Sequence, residues 1–223
     1  MMMSLFSMFD PSAITSHSNW IIMIFTIMFI PTSYWKIKSR YNMKMNYITN
    51  ILNNEFKMLF MKNIMMKGST LICVSLFFFI MINNLTSNFP YTFCCSAHLV
   101  FSISLSIPIW MSIIIFCWIN LTKSMLSHLV PSGTPTTLMP LMVMIEMSSN
   151  LIRPFALAVR LTANLIAGHL LMALLGNTMN INNNYWMIIL LVQTTFMMFE
   201  LMVAMIQSYV FSVLMTLYSS EIS

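Results

Sequence analysis

Charge is what this sequence has least of. Asp, Glu, Lys and Arg make up 7% of the 223 residues, against about 25% in a soluble domain. So little charge cannot cover a water-facing surface. With 59% of the residues hydrophobic, much of the chain must face lipid. Its length allows roughly five or six crossings of ~20 residues each. The four cysteines, Cys73, Cys94, Cys95 and Cys117, form no CxxC pair and have no histidine at zinc-finger spacing. Neither a metal site nor a disulfide framework is expected from them. The stretch from Met1 to Trp20 lacks a basic n-region and contains Asp10, so it reads neither as a secretory signal nor as an Arg-rich transit peptide. Insertion where the chain is made is the expectation. Glycine is scarce at four and methionine abundant at 27. That bias suits an AT-rich organellar genome that reads an extra Ile codon as Met. No internal repeat and no low-complexity tract is visible.

The charge that is present is unevenly placed. Seven of the ten Lys and Arg residues lie between Lys36 and Lys67. No solvated domain carries them, so they set topology rather than bind nucleic acid. A first span over 18–35 has Trp20 at one end and Tyr34–Trp35 at the other, an aromatic belt at each interface. The basic segment 36–67 then falls on the inner side, which leaves 1–17 outside. Within it Ile48, Ile51, Leu52, Phe56, Leu59 and Phe60 recur at helical spacing among polar residues, the pattern of an amphipathic helix lying in the inner interface. A second span over 69–85 returns to the outer side, where Asn83, Asn84, Asn88 and Pro90 are expected to turn the chain into an outer loop, 86–98. A third, 99–122, contains Pro108, a kink or a point relieved by neighbouring helices. Lys123 opens an inner loop, 123–135, broken by Pro131, Gly133 and Pro135. A long helical hairpin over 136–220 follows, with an Asn-rich turn at 176–184. Each arm exceeds the ~20 residues of an upright crossing, so strong tilt fits. The expected fold is an all-α integral membrane protein with three upright spans, one amphipathic interfacial helix and a long tilted C-terminal hairpin.

The hairpin also holds the intramembrane charge: Glu146, Arg153, Arg160, His169 and Glu200. A charge at the bilayer centre costs about 2.5–3.5 kcal/mol on insertion scales, so mutual pairing or a water-filled path must offset it. Glu146, Arg153 and Arg160 are seven apart and drift only ~20° per step, forming one stripe. Asn164, four residues past Arg160, joins it. His169 lies ~13 Å further along the axis on the other face, at ~1.5 Å per residue. Glu200 and Gln207 share a face of the last helix. An antiparallel register centred near residue 184 brings Arg160 beside Gln207 and His169 beside Glu200. Glu146 then lies toward the inside and the His169–Glu200 pair toward the outside, with Arg160 between. Histidine titrates near ~6.5 unperturbed, which suits proton relay. Arginine holds its proton at any physiological pH, so Arg160 acts electrostatically, as a fixed cation. Structural readings stand beside these: an interface role for Arg153, a satisfied core histidine at His169, helix glue at Gln207 and a solvated helix-end carboxylate at Glu146.

Two segments carry a family likeness. The run LIRPFALAVRLTANLIAGHLL, from Leu151 to Leu171, closely resembles the fifth helix of the subunit a family of ATP synthases, in its mitochondrial form. FELMVAMIQSY, from Phe199 to Tyr209, is similar to that family's last helix, and LVPSGTP, from Leu129 to Pro135, to its lead-in. The N-terminal half matches only in span order and in its basic inner loop. The resemblance implies a proton-translocating stator subunit of the F0 sector in the mitochondrial inner membrane. It has no cofactor, and it works against a rotating ring of c subunits beside subunit b and small membrane subunits. It also implies roles: Arg160 as the essential arginine, Asn164 as the polar residue one turn on, and Glu146 as the inner half-channel carboxylate. His169 and Glu200 become the outer half-channel pair, and Gln207 the glutamine near the arginine. Two other classes are weighed against it. A haem-binding respiratory subunit needs paired axial histidines on facing helices, and no two histidines here share a span. A secondary transporter needs broken helices in matched halves, and Pro108 has no counterpart.

Overall fold

The computed structural model describes residues 9–11, 18–28, 37, 39–60, 68–89, 92–120, 122–130, 135–178 and 186–222. Tyr34–Trp35, Lys36, Lys38, Pro131, Gly133 and most of the expected turn at 176–184 lie outside them. Regular structure among the described residues is helical: α1 Ile21–Met28, α2 Arg40–Phe60, α3 Ser69–Ser87, α4 Leu99–Asn120, α5 Thr122–His128, α6 Met139–Thr178 and α7 Trp186–Ile222. Among the described residues, four helices are long and apolar enough to cross a membrane: α3, α4, α6 and α7. The 40 residues of α6 make a rod of about 60 Å and the 37 of α7 one of about 55 Å, at ~1.5 Å per residue. Both are near twice the ~30 Å hydrocarbon thickness. Each therefore crosses obliquely or runs well past the lipid core.

Small and hydroxylic residues set how α7 seats. Ala204, Ser208, Ser212, Thr216 and Ser219 are buried along one face, and α7 packs against α3 there. The hydroxyls of Ser208, Ser212 and Thr216 donate to carbonyls three residues back at 2.7–2.9 Å. They are thus satisfied within their own helix and leave a smooth seam for close approach. Phe211 and Met215 complete that face. They join Ile80, Trp110, Cys117, Leu157, Leu161 and Leu165 in the central core, where α3, α4, α6 and α7 meet. A second cluster seats the amphipathic helix. Leu52, Phe56 and Phe60 of α2, four residues apart, bury against Cys73, Val74, Phe77 and Phe78 of α3. The Tyr209 hydroxyl donates to Glu55 Oε2 at 3.4 Å, tying α2 to α7. The helix begins at Arg40, earlier than its apolar spacing suggested.

Two prolines lie inside long helices, Pro108 in α4 and Pro154 in α6. Pro154 has no N–H, so the carbonyl of Asn150 loses its helical donor. Trp110 replaces it, its indole Nε1 donating to Asn150 O at 3.0 Å, and the ring is almost fully buried. One bond thus satisfies both the indole and the freed carbonyl and fixes α4 against α6.

The structure departs from the sequence expectation in two places. Asn83 and Asn84 lie not in an outer loop but inside α3, which runs to Ser87 with both residues buried. The Asn83 amide donates to Phe79 O at 2.9 Å and its Oδ1 accepts from Thr26 of α1 at 3.2 Å, so the helix carries this polar side chain inward. The second difference is α5, which occupies part of the expected inner loop 123–135. Its Met125 packs onto the central core, which holds about two turns of helix against the bundle.

Candidate functional site in the C-terminal hairpin

The hairpin register is set by one side-chain bond and one close approach. Asn164 Nδ2 donates to Gln207 Oε1 at 3.0 Å. Seven residues earlier on α7, Glu200 lies against Gly168, whose missing side chain makes the room: a Cβ there would sit 2.5 Å from Glu200 Oε1. Gln207 is therefore engaged by Asn164, one turn beyond Arg160, the residue that midpoint arithmetic had set beside it. Two antiparallel helices fix their offset by packing, which a midpoint cannot resolve to within a turn.

Arg160 is exposed, with Leu157, Ala158 and Leu161 buried behind it. Ala156, Ala163, Asn164 and Ala167 share its outward face and are exposed too. Among the described residues it makes no hydrogen bond and no ion pair. Among the described residues Arg160 is thus the one charge on a face of alanines and Asn164.

On one side of Arg160 lie two adjoining cavities of about 330 Å³ each. The nearer is lined by Asn84, Asn164, Gly168, Glu200 and Gln207. The farther is lined by Phe9, Ser87, Thr92, Cys94, His169 and Gln193. Glu200 and Asn88 border both, so the two meet at the carboxylate. His169 and Glu200 face this shared space, with no direct hydrogen bond between them. His169 Nε2 and Glu200 Oε1 are each buried without a partner among the described residues. Phe9 stands edge-on to His169 at 6.3 Å. Near the far mouth, burial between aromatic neighbours holds the His98 imidazole below its ordinary pKa.

On the other side lies a fixed charge network. Arg153 Nη2 is 3.8 Å from Glu146 Oε1, and its guanidinium stands 4.8 Å over the Tyr218 ring. Tyr218 in turn meets Trp110 edge-on at 5.7 Å. Arg153 therefore couples Glu146 to α7 and to the Trp110–Asn150 joint. Glu146 stays partly exposed, its side chain at 39%. The sequence placed Glu146, Arg153 and Arg160 on one stripe; in the structure the first two pair and Arg160 stands apart. Reading residue by residue missed Asn84, Asn88, Gly168 and Trp110. An amide within an apolar run was the available signal for Asn84. Glycine scarcity was the signal for Gly168, and the indole facing a proline-interrupted helix had none.

Two polar regions on either side of an exposed arginine that has no partner among the described residues, in a bundle with four membrane-length helices, define a multi-pass membrane subunit that moves ions rather than transforms a substrate. The profile of the family described as "ATP synthase A chain" matches residues 16–220. Along its whole length the chain is 50% identical over 226 residues to ATP synthase subunit a of Drosophila melanogaster. It is 48% identical over 227 residues to that of Anopheles gambiae and 47% over 225 to that of Locusta migratoria, with 100% of each chain covered in all three. The chain belongs to the ATP synthase A chain family. As a member it is a proton-conducting subunit of the membrane sector, not the catalytic one, and a multi-pass protein of the mitochondrial inner membrane. Family membership sets aside the haem-binding and transporter readings.

Proposed function

We propose that this chain is the stationary wall of a rotary proton path. Protons pass to and from carboxylates of a rotating ring of c subunits through two offset half-channels, and Arg160 keeps the two apart. The outer half-channel is the pair of cavities holding His169 and Glu200, reached from the side of residues 86–98. The inner one is the region of Glu146, on the side of the basic segment 36–67. Asn164 and Gln207 close the outer path beside Arg160. Subunit b and small membrane subunits complete the stator around it.

The observation that carries this reading is Arg160, exposed and without a partner among the described residues. A cation in lipid needs a counter-charge, and the described residues supply none. A ring carboxylate at ~4 Å gains about 4 kcal/mol at an effective dielectric of ~20. That is enough to favour its ionised form and comparable with the ~2.3 kcal/mol that each proton gains across ~100 mV. The small residues Ala156, Ala163 and Ala167 let a partner helix come close. Arg153 is held by Glu146 and Tyr218, so it acts as an anchor of the inner side. The test is Arg160→Ala in the assembled complex: ATP-driven proton pumping is abolished while assembly is kept. Normal coupled pumping in that variant refutes the mechanism. His169 and Glu200 variants should slow proton uptake from the outer side while the ring stays docked; lost docking with proton access intact contradicts the outer-path assignment.

A further inference from the structure

Asn83 and Asn84 are neighbours on α3 with opposite fates. Asn83 is satisfied, its amide bonded to Phe79 O and its carbonyl to Thr26. Asn84 is fully buried, and neither its Nδ2 nor its Oδ1 has a partner among the described residues. A buried primary amide left without hydrogen bonds is costly, so such a side chain is retained where it meets water or a ligand. Asn84 borders the cavity that contains Glu200, Asn164 and Gln207. Asn88, one turn on along the same face, has its own buried Nδ2 unpartnered and borders both cavities at their junction. Each cavity, at about 330 Å³, is many times the ~10–15 Å³ of probe volume that one water needs.

We propose that Asn84, with Asn88, is a positioning residue of the outer proton path: these two amides at the C-terminal end of α3, Asn84 within the helix and Asn88 at its cap, hold the water chain that connects Glu200 with the Asn164–Gln207 end of the cavity, beside Arg160. The chemistry selects an amide for this post. It donates through Nδ2 and accepts through Oδ1, so it orients waters of either polarity. It carries no charge that would trap a proton in transit. A carboxylate here would compete with Glu200, and an apolar side chain would leave the waters without a wall to bond. The proton itself moves from water to water and to Glu200; Asn84 exchanges none. Three polar side chains from α6 and α7 line this cavity, Asn164, Glu200 and Gln207, and Asn84 adds a polar group from α3.

This assignment rests on the outer-path reading of Glu200, and its test separates the two. Asn84→Thr and Asn84→Val are near-isosteric and share their backbone preferences, differing in a hydroxyl that can bond water. In membranes carrying the intact complex, proton flux per assembled complex is expected to fall about tenfold in Asn84→Val relative to the unsubstituted protein. It stays within about threefold in Asn84→Thr. Equal flux in the two variants overturns the proposal. So does lost assembly in Asn84→Val with flux per remaining complex unchanged, which is the signature of a structural residue. If position 84 tolerates neither, the same Thr and Val pair at Asn88 must show the difference, and its absence there likewise overturns the proposal. Glu200→Gln is run alongside. If it leaves flux intact, the outer-path reading itself fails. If it stops flux while the 84 and 88 pairs show no difference, only the role of the α3 amides fails.

Discussion

At the scale of single residues, the site is organised by absence as much as by charge. Gly168 has no side chain, and Glu200 occupies the space one would fill. A Cβ at 168 meets the carboxylate end of Glu200, at 2.5 Å from Oε1 and 2.9 Å from Cδ. That end can rotate away, so Gly168→Ala should leave the hairpin folded and the complex assembled. It should also move the carboxylate out of the junction between the two cavities. Proton flux from the outer side is expected to fall about tenfold, near the ~1.4 kcal/mol that a tenfold rate change represents. A flux assay on assembled complexes checks it, and unaltered flux means that the position of the carboxylate does not matter. Charged residues in lipid were legible in the sequence because their cost forces an explanation; Arg160, His169 and Glu200 stood out for that reason. Gly168 and Asn84 were not legible in the same way. A glycine matters only through what lies opposite it. An asparagine near a span end reads as a loop until the helix is seen to run past it, as α3 does to Ser87.

At the scale of elements, the helices were readable from hydropathy and their joints were not. Apolar length alone put spans at 69–85 and 99–122, where the helices Ser69–Ser87 and Leu99–Asn120 lie. The Pro154 break does not, because its relief comes from Trp110, 40 positions away in the chain. The joint makes a quantitative prediction. Trp110→Phe keeps an aromatic ring but leaves Asn150 O without its donor, which should cost about 1–3 kcal/mol. Pro154→Ala restores a backbone N–H that can bond the same carbonyl, so it should lose little and may be combined with the first. In the double variant the carbonyl again has its helical donor, and the penalty of Trp110→Phe should shrink by roughly 1 kcal/mol or more, a coupling within the usual range for residues sharing a partner. Thermal dissociation of the purified complex reads the cycle. Strict additivity would show that Trp110 contributes by packing on Tyr218 alone. The same element explains why Arg153 is not a second Arg160. Its guanidinium is committed to Glu146 and to the Tyr218 ring, and through Tyr218 it leans on Trp110.

At the scale of the whole molecule, function depends on which end of the hairpin meets which compartment. Charge bias assigns the basic segment to the inside, which puts the α6–α7 turn and the His169–Glu200 cavities outside. The structure supplies the means to check this, because Cys73, Cys94, Cys95 and Cys117 are all free and buried and give little background to a membrane-impermeant thiol reagent. Thr178, at the end of α6, and Asn54, on the polar face of α2, are both exposed. In mitoplasts, whose inner membrane is sealed and outer face accessible, Thr178→Cys should label at once and Asn54→Cys only after permeabilisation. The reverse pattern would turn the subunit over. The larger cavities would then open to the matrix and Glu146 to the outside, and every directional statement about proton uptake would change sign. Labelling of both sites in sealed mitoplasts would instead mean that α2 is not confined to the inner interface. That would undo the contact between Leu52, Phe56, Phe60 and α3 on which the seating of α7 partly rests. The expected pattern has a further consequence. The outer cavities end near Gln207, and Glu146, ~21 Å along α6 from Arg160 at ~1.5 Å per residue, is not among the residues that line them. On the proposed mechanism a proton crosses by leaving this chain for a ring carboxylate and returning on the other side of Arg160.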